Sequence, residues 1–159
     1  MIASHVPNRT IPVLVMLLVS LSFGMIACKD DKVTCPQRPL CAFSGITRTD
    51  PADHVLSVDP DDWCAGSAQE PGLGPVYPNP ASASMVISFS LPDSAYVTLV
   101  IIDQNCEIVR TLYSGGKLAG TYPIAWEGSD NSGQRLPADI YRCLFQADEF
   151  TCHGDIQLE

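Results

Sequence analysis

The sequence predicts an all-β fold, an antiparallel two-layer sandwich of about seven short strands over residues 76–159. Three observations predict it. Apolar residues there recur at every second position, or in short β-branched runs, between turns rich in Gly, Asn and Asp. No stretch of that region places apolar residues at the helical spacing of three and four. Many short strand-like segments in one domain-sized stretch must bury their apolar faces, and two packed sheets do so.

The strands follow in order. Met85-Val86-Ile87-Ser88-Phe89-Ser90-Leu91 alternates, with Ile87, Phe89 and Leu91 on one face. Tyr96 to Asp103 is β-branched and apolar on both faces, as a central strand is. Gln104-Asn105-Cys106 reads as a turn, and Glu107 to Tyr113 returns as the hairpin partner. Ser114 to Gly120, with three glycines, reads as a loop. Thr121 to Trp126 is the next strand, placed at an edge by Pro123. Gly128 to Asp139 is a long polar loop, and Ile140–Gln146 and Phe150–Leu158 close the domain as a hairpin.

Composition bounds the function. With 159 residues, 46% hydrophobic and 17% charged, the chain is one small domain with additions, too apolar to be wholly disordered. The net charge of -9 leaves no basic footprint for a phosphate backbone, so no nucleic-acid partner is expected. No Gly-x-Ser-x-Gly elbow occurs, His54 reads as a surface residue, and His153, although next to Cys152, lacks further ligand-spaced partners. No catalytic residue, metal site, cofactor or small-molecule substrate is expected.

Residues 1–27 read as an export signal. Arg9 precedes the apolar run Ile11 to Ala27, whose 17 residues, interrupted by Pro12, Ser20, Ser22 and Gly24, are short for a bilayer core that needs about 20. The run ends Met25-Ile26-Ala27-Cys28, followed by Lys29-Asp30-Asp31-Lys32. That string resembles a bacterial lipobox. The resemblance implies a diacylglyceryl group on the Cys28 thiol, cleavage before it, and membrane lipid as a partner. Several acyl chains, each buried methylene contributing about 0.8 kcal/mol, would hold the protein stably. A plain signal peptide and an uncleaved anchor are the alternatives.

Residues 28–75 read as a Cys-, Pro- and Asp-rich linker, ending Gln69-Glu70-Pro71-Gly72-Leu73-Gly74-Pro75. Asp50, Asp53, Asp59, Asp61 and Asp62 make it acidic. No Asp-x-Asp-x-Asp-Gly loop closes with a Glu, so a solvated acidic stalk is expected rather than a calcium site.

If lipid occupies Cys28, six cysteines remain: Cys35, Cys41, Cys64, Cys106, Cys143 and Cys152. An even count in an exported chain suggests disulfides, and no C-x-x-C suggests redox or zinc chemistry. Cys143 and Cys152 flank the last hairpin and are the first expected pair; Cys35 and Cys41 can close a short loop. The alternative is that some stay free, buried thiols. Three of the six precede residue 75 and three follow it, so full pairing requires a bridge between the regions. The simplest joins Cys106 to Cys35, Cys41 or Cys64.

Tyr77-Pro78-Asn79-Pro80, Ile87 to Pro92, Leu118 to Tyr122, Trp126-Glu127-Gly128-Ser129-Asp130-Asn131-Ser132-Gly133 and Leu136 to Tyr141 together carry a second resemblance. The string resembles the FlgD-type immunoglobulin-like (Ig-like) domain, also found as the C-terminal sorting domain of type IX secretion substrates, over nearly all of 76–159. The resemblance implies an Ig-like sandwich used for structure or interaction, with a protein partner in the envelope or secretion machinery. The physical roles expected are structural. Trp126 and Tyr141 fill the space between sheets, Asp130 bonds amides ahead of it, and Gly128 and Gly133 belong to its loop. Pro78 and Pro80, flanking Asn79, stiffen the entrance. Three positions depart from the pattern: Cys106 and Asp139 stand where Gly is usual, and His153 to Glu159 is not basic.

Overall fold

The computed structural model describes residues 42–159. Every regular element there is a strand: β1 (Arg48–Thr49), β2 (Val55–Ser57), β3 (Gly72–Leu73), β4 (Met85–Leu91), β5 (Ala95–Ile102), β6 (Ile108–Lys117), β7 (Gly120–Trp126), β8 (Ile140–Ala147) and β9 (Phe150–Gln157). All ladders are antiparallel. The order is β3-β4-β7 in one sheet and β6-β5-β8-β9 in the other, with β1-β2 as a separate ribbon. Three and four strands make the expected seven-stranded sandwich, but β3 comes from before residue 76.

The period-2 pattern builds the core. Met85, Ile87, Phe89 and Leu91 of β4 are buried, with half-buried residues between them. They meet Val97, Leu99 and Ile101 of β5 and Tyr141, Cys143, Phe145 and Ala147 of β8. Phe89 lies 5.2 Å, centroid to centroid, from both Phe145 and Tyr122. Each large side chain so buried contributes about 1.5–3 kcal/mol. β5 lies between β6 and β8, and its outward Val100 and Ile102 are buried as well, which accounts for its two apolar faces. β7, with Pro123, is an edge strand.

Three expectations are corrected. Ser114 to Gly120 is not a loop: β6 continues to Lys117 opposite Ala95, and β7 starts at Gly120. The glycines there make room rather than break the strand. A Cβ on Gly115, at φ +153°, would sit 3.2 Å from the Tyr113 hydroxyl, which donates to the Gly116 carbonyl.

Cys143 and Cys152 do not pair. The turn falls at Asp148–Glu149, so Cys152 lies opposite Phe145 and Cys143 opposite Gly154. Diagonal neighbours two residues apart are about 7–8 Å distant, beyond ordinary disulfide reach. Cys152 instead bonds Cys64, 88 residues away, while Cys143 is a free thiol with no exposure. The regions before and after residue 75 are therefore bridged, as full pairing requires, here through Cys64. Cys106 is itself disulfide-bonded. The expectations for the export signal, Cys28, Cys35 and Cys41 lie outside the described residues.

Residues 42–75 are not a solvated stalk. Leu73 has no exposure, and Thr47, Thr49 and Asp62 are buried. Gly72 and Leu73 pair with Ser90 and Phe89, adding β3 to a sandwich sheet. The segment docks mainly through backbone groups and a few side chains, which composition does not register.

Candidate interaction surfaces

The entrance motif is a hub of hydrogen bonds. The Tyr77–Pro78 and Asn79–Pro80 peptides are both cis. Tyr77 exchanges backbone bonds with Val86, and Asn79 with Thr49. The Asn79 side chain, fully buried, donates to the carbonyls of Thr47 (2.7 Å) and Asp155 (3.0 Å) and accepts from Gln157 N–H (2.9 Å). Only a side chain that both donates and accepts can join the chain before β1 to β9 in this way.

The second motif is built around Trp126 and Tyr141. Trp126, 1% exposed, donates its indole N–H to the Ser129 carbonyl (2.9 Å) and packs edge-on against Tyr141. Tyr141 donates its hydroxyl to the Pro137 carbonyl (3.0 Å). One Asp130 oxygen accepts from Ser132 N–H and O–H and from Gln134 N–H. These bonds hold its carboxyl below the usual carboxylate range, the Ser132 side chain contributing most. Gly128 and Gly133 take φ of +65° and +86°, left-handed turns that favour glycine.

A third cluster lies on the outer face of the four-stranded sheet. Arg142 and Asp155, opposite each other on β8 and β9, form a buried two-point ion pair at 2.6 and 2.8 Å. Arg142 also donates to the Ala42 carbonyl (3.0 Å), with the Phe43 ring 4.8 Å from its guanidinium carbon. Asp155 N–H donates to Asp62. Burial first, and then the Asp155 charge, push the Asp62 carboxyl up to about 7. Sequence reasoning misses Arg142 and Asp155, and it names Asp62 only as part of the acidic stretch. The clue in the sequence is one Arg and one Asp on the two strands of the last hairpin.

These clusters also close the sheet edges. The free side of β9 receives Trp63 N–H on His153 O (2.7 Å), Asp62 on Asp155 N–H, Asn79 on Asp155 O and Gln157 N–H, and Ala81 N–H on Gln157 O. Leu73 of β3 bonds Cys64 in both directions. At β6, Asn131 N–H donates to Val109 O, and Asn131 Oδ1 accepts from Thr111 N–H.

Three surfaces stand out among the described residues. A groove of about 320 Å³ crosses the outer face of the four-stranded sheet over Thr98, Val100, Ile108 and Leu144. Lys117 lies between the Tyr113 and Tyr122 rings, 4.7 and 4.6 Å from their centroids. Val55, Leu56 and Val58, on and just after β2, are 49%, 66% and 69% exposed. Among the described residues no group of three or more His, Cys, Asp or Glu side chains is arranged to hold a metal. The Cys143 thiol is enclosed, and burial drives its pKa far up, so it presents no nucleophile.

No curated protein matches the chain. The family model of the FlgD Ig-like domain matches residues 78–148, from the entrance prolines through β8 to the first residue of its turn.

Proposed function

We propose that this chain is a non-catalytic, lipid-anchored exported protein, whose Ig-like module serves structure or interaction at the cell envelope. What supports the module reading is that Asn79, Trp126, Asp130 and Tyr141 are all engaged within the fold, so chemistry is left to surfaces rather than to a pocket. The Cys64–Cys152 disulfide suits an oxidising compartment outside the cytoplasm. The address rests on Met25-Ile26-Ala27-Cys28, with Cys28 the residue that would carry lipid.

Intact mass of membrane-extracted protein, reduced and non-reduced, tests this. The expected species begins at Cys28, carries acyl groups and gains mass on reduction. A water-soluble, acyl-free product would overturn the anchor. Type IX sorting is the second reading, supported by the resemblance of residues 76–159. The Cys64–Cys152 bridge would keep a cleaved domain attached, which favours the first reading. Deleting 76–159 and comparing secreted with cell-bound protein separates the two.

A further inference from the structure

We propose that β2 is a docking edge for an extended, basic-ended segment of a partner protein, which would add a strand beside Val55–Ser57. An exposed strand edge invites pairing with another chain, and natural proteins blunt it with covering segments, charges or proline. Here β9 is covered by residues 62–63, 79 and 81, β3 by Cys64, and β1 by Asn79. β6 is capped at 109–111 by Asn131 and ends in Lys117, and β7 carries Pro123.

Among the described residues β2 has none of these devices. Its ladder neighbour among the described strands is β1 alone, all three of its residues are exposed, and none is charged or proline. With Val58 just after it, it presents three aliphatic side chains within four residues. Leu56 and Val58 have the two-residue spacing that puts side chains on one face.

Charge decides which occupant fits. Asp50 and Asp53 flank one end of β2, and Asp59 the other. Arg48 pairs with Ser57 from the β1 side. A second copy meeting β2 antiparallel about Leu56 would bring Asp53 against Asp59 at both ends, between chains that each carry -9. A partner segment with aliphatic residues at alternate positions and Lys or Arg at its ends meets the apolar centre and both acidic ends at once. Such strand addition takes affinity from main-chain bonds and selectivity from alternate side chains.

The inference deepens the reading of the chain as an interaction module and is independent of lipid on Cys28, which the mass measurement tests separately. The probes are two seven-residue peptides alternating valine and threonine, one with lysine ends and one with glutamate ends. The readout is amide hydrogen exchange of the full chain. The lysine-ended peptide should slow exchange across 54–58, and the glutamate-ended one should not. Leu56→Lys, at a 66% exposed position, should weaken binding about tenfold or more. Ile108→Lys, on another exposed aliphatic, should leave it unchanged. No protection by either peptide, equal protection by both, or unchanged binding by Leu56→Lys would overturn the proposal. So would concentration-dependent protection without peptide, which would identify a second copy as the occupant.

Discussion

Asp62 is 6% exposed, and its carboxyl feels the charges of Asp155 and Asp59. Its raised pKa makes a prediction of definite sign. Below about pH 4 the folded and unfolded chains both hold the proton, and the contribution to stability is full. From there to about 7 the unfolded chain releases the proton while the folded one keeps it. Stability falls as pH rises through that window and levels off above it. A tenfold difference in proton affinity between the folded and unfolded chains corresponds to roughly 1.4 kcal/mol, so the decline is a few kcal/mol. Asp50, Asp103 and Asp130 act oppositely. Their carboxyls are held low, chiefly by hydrogen bonds from His54, Glu107 and Ser132, so their contributions are lost only in stronger acid. Urea unfolding between pH 4.5 and 8 should show the decline, and Asp62→Asn should flatten it. An Asn there can still accept from Asp155 N–H, so equal slopes in the two proteins would refute the assignment.

Among the elements, β4 and β5 are legible in the sequence because seven or eight residues of alternation or β-branching leave one arrangement that buries them. β1, β2 and β3 are not, since two or three residues carry no period. The cysteine pairing fails for a related reason. Spacing located the last hairpin but not its turn, and a turn one position later changes which residues face each other. The structure therefore makes thiol behaviour specific. Cys64–Cys152 closes a long loop, and chain entropy assigns such a bridge about 4–5 kcal/mol. Cys64→Ser with Cys152→Ser should lose stability of that order, with faster hydrogen exchange along β9, whose outer edge residues 62–63 then hold less firmly. Cys143 should resist a maleimide reagent in the native protein and react at once in denaturant. Native labelling at Cys143 would contradict its burial.

For the whole molecule, the question is where the folding unit begins. Composition changes near residue 76, and the family match starts at 78, yet packing ignores that border. Removing residues before 76 takes away the β3 ladder on β4, with Leu73 from the core. It also removes the Thr47 carbonyl that Asn79 bonds, the cover over Arg142–Asp155, and the partners of His153 O and Asp155 N–H on β9. Each polar group left buried and unpaired costs about 1–3 kcal/mol, and a small domain holds only about 5–15 in total. A 76–159 fragment should therefore fold marginally at best and self-associate through the uncovered β9 edge, whereas 42–159 should keep the described contacts. Light scattering after size exclusion, with hydrogen exchange at 150–157, distinguishes the outcomes. A monomeric 76–159 fragment with β9 amides as protected as in the full chain would mean that residues 42–75 decorate the sandwich and do not complete it.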